Sequence, residues 1–230
     1  MIKNLTALFL LFGLLTVNAQ QPGEDELGAW YMYFGTNKVS KRLSVHTEAQ
    51  FRLYETTSNF NQLLLRTGLN YHISPEAIAT AGYGYIDTDN TFYDGDFDIN
   101  LIEHRIFEQF ILKNKVWELL FEHRYRLEQR FLDLDGVKDT QHRARYRIQM
   151  TLPLTDTFFL NFYDELFINL QDDLFGQNRL YGAVGVNITE NSNIQIGYLR
   201  NQFSNAVYDR LQFAVFYNPD LSSLFKKKKP

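Results

Sequence analysis

The chain has 230 residues, 45% of them hydrophobic, with 20 Phe and 14 Tyr among the aromatics. That length holds one domain or at most two small ones. The formal net charge of −4 gives no sign of a nucleic-acid partner. The lack of cysteine excludes disulfides, thiol catalysis and a lipid-bearing cysteine at a mature N-terminus.

In chain order, Lys3, the apolar run Leu5 to Val17 and the small residues before Gln20 predict a cleaved export signal over 1–19. The run is too short for a membrane helix, which needs about 20 apolar residues. A loose leader is expected over 20–26. From Leu27 onward the hydrophobic period is two, which predicts strands. They fall at Leu27–Phe34, Arg42–Glu55, Phe60–Ile73, Ala77–Asp87, Ile99–Lys113, Trp117–Phe131, Gln141–Leu152, Thr157–Leu170, Gln177–Ile188, Asn193–Gln202 and Tyr208–Asn218. Most exceed the usual globular strand of about five or six residues and suit a tilted bilayer crossing of about 9–11. A barrel domain is therefore expected over 27–218. A basic, solvated tail over 219–230 ends in Lys226–Lys229.

Short turns near Ser74-Pro75, Asn114-Lys115, Pro153–Asp156 and Glu190–Ser192 alternate with longer polar loops. The loops are Thr88–Asp98, Leu132–Thr140, Gln171–Gly176 and Phe203–Val207, with Asp89, Asp94, Asp96, Asp98, Asp133, Asp135, Asp139, Asp172 and Asp173 making them acidic. Short turns on one side and long loops on the other is the arrangement of outer-membrane barrels. The expected fold is all-β: an antiparallel transmembrane β-barrel of 10–12 strands in up-and-down order. Eleven strands are visible. A bacterial barrel needs an even number, so ten or twelve is expected.

Alternation alone does not say which face is wet, because a soluble sandwich also has one apolar face. The cations discriminate. Most of the 13 Arg sit on the polar faces of strands, while the nine lysines after Lys3 fall in turns, strand ends or the tail. A compact, strongly hydrated ammonium suits an open face, and the planar guanidinium suits confined pairing with carboxylates. The arginine face is thus expected to turn inward and the apolar face toward lipid. Tyr31, Tyr33, Tyr71, Tyr83, Tyr85, Phe158 and Tyr217 are candidate interface aromatics.

The segments EHRIFEQF (Glu103–Phe110), RYRLEQRF (Arg124–Phe131), YDELFINL (Tyr163–Leu170) and QNRLYGAVG (Gln177–Gly185) resemble the domain-of-unknown-function family numbered 2490. Trp30 and Arg52 fit it too. The resemblance implies an outer-membrane barrel of Gram-negative bacteria. It implies no activity and no functional residues.

The strongest local chemistry is a ladder of charges. Glu122, Arg124, Arg126, Glu128 and Arg130 share a face with Arg143, Arg145 and Arg147; Glu103, Arg105, Glu165, Arg179, Arg52 and Arg66 extend it. Cross-strand neighbours lie about 4.5–5.5 Å apart, close enough for Arg–Glu pairing. The set is either a salt-bridge network that fills the lumen or the lining of a narrow pore preferring anions. Outer-membrane lipid, a small anionic solute and an envelope protein are the partners this leaves open. The last would act through the extracellular loops.

Enzymatic chemistry finds little support. His72 and Ser74 have the spacing used by outer-membrane phospholipase, but at a short turn before Pro75 an ordinary strand end explains them. Asp164 and Glu165 are adjacent, so they point to opposite faces and cannot pair as catalytic carboxylates. His46, His104, His123 and His142 lack metal-ligand spacing. No glycine-rich phosphate loop appears. No catalytic residue, metal or cofactor is expected.

Overall fold

The computed structural model describes residues 23–92, 100–171 and 173–225. The strands are β1 (Gly28–Lys38), β2 (Leu43–Leu53), β3 (Phe60–His72), β4 (Ala77–Asp89), β5 (Asn100–Val116), β6 (Leu119–Leu134), β7 (Val137–Pro153), β8 (Phe158–Asn169), β9 (Phe175–Thr189), β10 (Ser192–Gln202) and β11 (Val207–Tyr217). Each is hydrogen-bonded to its sequence neighbours, and β1 meets β11 to close a barrel. The expected export signal, Asp94, Asp96, Asp98, Asp172 and Lys226–Lys229 lie outside the described residues.

The strand count corrects the parity argument. There are eleven strands, neither ten nor twelve, and the closing pair is parallel, with Gly28 opposite Arg210 and Gly35 opposite Tyr217. An up-and-down path with an odd number of strands brings its first and last strands together running the same way. A parallel ladder pairs slightly less well per residue. It is nonetheless sufficient here, because β1 satisfies its other edge over ten residue pairs with β2. β1 is a full eleven-residue strand and extends to Lys38, four residues past the predicted end.

Two connections differ from expectation. The predicted loop Leu132–Thr140 is a two-residue turn between strands of 16 and 17 residues. Asp135 and Gly136 adopt φ of 50° and 83°, the paired left-handed conformation that matches the twist of a hairpin and favours Asp-Gly. The Asp133 carboxylate accepts from the Gly136 amide at 2.8 Å. The turn predicted at Asn114-Lys115 lies instead at Trp117 and Glu118, with Trp117 at φ 53°. Asn114 and Lys115 remain in β5.

The topology puts the connections after β1, β3, β5, β7 and β9 at one end, and those after β2, β4, β6, β8 and β10 at the other. We call these the short-turn end and the loop end. At the loop end residues 23–26 of the expected leader are tied to β11. The Glu24 carboxylate accepts from the Val207 amide at 2.9 Å, and the Glu26 carbonyl accepts from Arg210 at 2.9 Å. At the short-turn end the chain after β11 folds back on β1. Lys38 and Leu221 amides donate to the Pro219 and Lys38 carbonyls, and Lys38 Nζ bonds Asp220 at 2.8 Å. The start of the predicted tail is therefore docked, and it ends in a 3-10 turn, Ser222–Phe225.

Which face points where is settled by burial. Phe51, Leu65, Leu69, Ile106, Leu127, Leu180, Val184 and Ile196 are 43–56% exposed, whereas Arg66, Arg105, Arg126 and Arg145 are 3–7% exposed. A water-soluble sandwich would show the reverse. The interface candidates all take the outward set: Tyr31, Tyr71, Tyr83, Phe158 and Tyr217 are exposed, and Tyr33 and Tyr85 half-buried. A few polar groups share that face and find partners there. Gln129 Nε2 donates to Glu108 at 3.3 Å, Asn178 Nδ2 to Asp164 at 2.8 Å, and His123 meets the Tyr146 hydroxyl at 2.8 Å.

Inward glycines make room for rings. A Cβ on Gly82 would collide with Phe107, and one on Gly185 with Phe159, each directly across the ladder. Phe107 is 0% exposed and so fills a void that only a glycine neighbour leaves.

Candidate functional site: the charged lumen

The interior holds a cavity of about 1090 Å³, whose lining runs from Tyr54, Asn61 and Phe203 at the loop end to Asn187, Asn193 and Asn218 at the short-turn end. Period-two alternation delivers the lining. On β2 it presents His46, Glu48, Gln50 and Arg52; on β6 Glu122, Arg124, Arg126 and Arg130; on β7 Arg143, Arg145, Arg147 and Gln149. Of the charges expected in the ladder, all line the cavity except Glu128, which is 1% exposed and enclosed by arginines.

The carboxylates act as hubs. Glu128 lies 2.6 Å from Arg143, 2.7 Å from Arg145, 3.5 Å from Arg105 and 3.6 Å from Arg126. Glu165 bonds Arg124 at 2.6 Å and Arg145 at 2.8 Å, so Arg145 bridges the two hubs. Glu103 binds Arg105 at 2.6 Å and Arg130 at 2.8 Å. Glu122 takes Arg147 at 2.6 Å, and Glu48 takes Arg66 at 2.8 Å. The network links β5 through β8 across the ladder, and so fixes register as well as charge.

Aromatic rings complete the packing. Arg126 and Arg66 lie 4.9 and 5.4 Å from the Phe107 ring, and Arg145 and Arg179 lie 4.1 and 4.7 Å from Phe167. Such stacking suits the weakly hydrated guanidinium and would suit an ammonium less. Arg126 also gives two hydrogen bonds to Gln109 Oε1, at 3.0 and 2.6 Å.

The opposite wall differs. Arg52, Arg179 and Arg210 have no carboxylate within 4 Å among the described residues. Arg52 bonds Gln50 and Gln62 instead, and lies 3.7 Å from the Trp30 ring centre. Trp30 is placed beside Arg52 by the β1–β2 register.

Sequence reasoning missed Glu48, Lys113 and Arg210 as parts of the lumen, and Trp30, Phe107 and Phe167 as the rings its arginines stack on. The alternation that placed Arg52 inward also carries Glu48. Likewise Tyr208–Asn218 carries Arg210 on the face of Gln212. Nothing local marks Phe107, an apolar residue set between Arg105 and Gln109 on the inward face of β5.

The remaining candidates are also located. His72 does not meet Ser74; its ring lies 2.8 Å from Ser44 Oγ, while Ser74 Oγ accepts from the turn amides of Glu76 and Ala77. Ser44 is 0% exposed and also receives Asn70 Nδ2 at 3.0 Å, so no ester could reach it in this arrangement. Asp164 points outward to Asn178, and Glu165 inward. His46 faces the lumen against Glu48 at 3.0 Å, while His104 and His123 face outward against Tyr83 and Tyr146. Among the described residues no group of three His, Asp or Glu is placed to hold a metal.

Fold and interior together define the class: a closed meander β-barrel, greasy outside, with an arginine-dominated core. The chain belongs to the family described as protein of unknown function (DUF2490), matched over residues 27–212. No curated protein matches it. Among solved structures, the siderophore receptor PirA from Pseudomonas aeruginosa is similar at 10% identity and a TM-score of 0.33, over 76% of this chain. The similarity covers 34% of that receptor's chain.

Proposed function

We propose that this protein is an outer-membrane β-barrel that passes small solutes through a narrow, anion-preferring lumen. The observation that carries the reading is the charge imbalance inside. Arg52, Arg66, Arg105, Arg124, Arg126, Arg130, Arg143, Arg145, Arg147, Arg179, Arg210 and Lys113 face the interior, against Glu48, Glu103, Glu122, Glu128 and Glu165. A lumen lined with more fixed cations than anions concentrates anions and repels cations. An exposed apolar exterior on strands of 11–17 residues supports lipid as the surrounding medium. About eight strands are just filled by side chains, so eleven leave room for a narrow path only.

The test is conductance of the purified protein in a planar bilayer under a KCl gradient. A small single-channel current with a reversal potential on the anion side supports the reading. Replacing Arg124, Arg126 and Arg145 by Gln should move that potential toward zero. Absence of current, or current unchanged by the triple substitution, removes it.

A further inference from the structure

The wall of the lumen formed by β1, β2 and β9–β11 carries arginines that form no direct ion pair with the Glu network. Glu165 is engaged by Arg124 and Arg145, and Glu48 by Arg66 and His46. Neither comes within 4 Å of Arg52 or Arg179. These two guanidinium groups lie 3.7 and 4.9 Å from the Trp30 ring, so both gather at one indole, with Arg179 also 4.7 Å from the Phe167 ring. Arg179 reaches that ring from β9, past β10 and β11.

Donors are left over. A guanidinium has five N–H groups. Arg52 spends three, two on Gln50 Oε1 at 3.0 and 2.6 Å and one on Gln62 Oε1 at 2.6 Å. Arg179 gives its Nε to Asn201 Oδ1 at 3.3 Å. With the Gln177 amide turned to accept, it bonds that oxygen through Nε and Nη2 at 3.3 and 3.0 Å. Trp30 is 5% exposed, and its Nε1 is a buried donor without a hydrogen-bond partner. Every acceptor hydrogen-bonded to the two arginines among the described residues is a neutral amide. Those amides hold the arginines in position but cancel none of their charge.

We propose that Trp30, Arg52 and Arg179 form a binding site for the phosphate or carboxylate group of a small solute. The site lies on the lumen wall below the loop-end mouth, and it rests on the reading that the lumen is water-filled. Two guanidinium forks and an indole N–H supply directional donors that a bare halide uses poorly and an oxyanion uses well. The amides of Gln50, Gln62 and Asn201 preorganise the forks, so little side-chain entropy is lost on binding.

Fluorescence gives a direct test. The chain has two tryptophans, and Trp117 is 87% exposed at the other end. The Trp117→Phe protein, folded in detergent, therefore reports on Trp30 alone. Titration with inorganic phosphate, and separately with acetate, should change Trp30 emission saturably. Potassium chloride at matched ionic strength should give no saturable change. Arg179→Gln and Arg52→Gln should each weaken the apparent phosphate affinity at least tenfold, while Arg42→Gln at the short-turn end should leave it unchanged. A response that is linear, equal for chloride, or indifferent to both lumen substitutions overturns the site. If neither substituted barrel folds by heat-modifiable migration, the contrast between phosphate and chloride in Trp117→Phe decides it. Saturable binding without bilayer current would keep the site and remove the pore; current without saturable binding would do the opposite.

Discussion

Glu128→Gln removes the central negative charge of the lumen while keeping its shape. Four guanidinium groups, those of Arg143, Arg145, Arg105 and Arg126, lie within 3.6 Å of its carboxylate, and the residue is 1% exposed. At an effective dielectric of about 20, one unit pair at about 4 Å is worth about 4 kcal/mol. Most of that gain is offset by desolvation and by repulsion among the arginines themselves. Breaking a buried pair by removing one partner is nonetheless costly, about 3–5 kcal/mol, because the other charge stays buried. Here four cations would remain with one hub fewer. Glu128→Gln should therefore lose about 3–5 kcal/mol in reversible urea unfolding from lipid vesicles, read by tryptophan emission and gel migration. Arg145→Gln in the same background should recover part of the loss, giving a coupling above about 1 kcal/mol. An exposed pair provides the comparison: Glu118→Gln, opposite Lys115 with side chains 81% and 55% exposed, should cost less than about 1 kcal/mol. If Glu128→Gln also costs less than about 1 kcal/mol, the lumen charges are screened by water and the hub argument fails.

Three further outcomes follow from the same geometry. The cysteine-free chain permits single-cysteine mapping: Ile106→Cys and Leu127→Cys should react with a membrane-phase maleimide in proteoliposomes, and Gln109→Cys should not; equal labelling would mean that the apolar face is not in lipid. Gly185→Ala should destabilise the barrel by about 1–3 kcal/mol through collision with Phe159, and Phe159→Leu should restore much of it; a neutral Gly185→Ala would show that the ring can move aside. Gly136→Ala meets nothing within 4 Å but must hold φ at 83°, so it should cost about 1 kcal/mol, measured by the same unfolding assay.

Much of this architecture is legible in the residues because side chains alternate with a period of two along a strand. The run Arg143, Arg145, Arg147 against Ala144, Tyr146, Ile148 gives strand, face and polarity at once. The restriction of lysine to turns and strand ends adds which face is enclosed, with one exception: Lys113 sits on β5 and faces the lumen. Loop positions are read less well. Asp135-Gly136 is a hairpin turn by local chemistry, but the acidic residues on either side of it imitate a loop. At Trp117 the turn is occupied by a residue whose size and apolarity point elsewhere.

The sequence by itself determined an all-β chain, its inward and outward faces, and a lumen rich in arginine, since each depends on local alternation. Only the tertiary structure decided that eleven strands close through a parallel β1–β11 seam, because closure depends on two segments about 180 residues apart meeting in register. It also decided which arginines are paired. Four find Glu128, while Arg52 and Arg179 converge on Trp30 without a carboxylate, a distinction set by distances across the barrel and absent from any stretch of neighbouring residues.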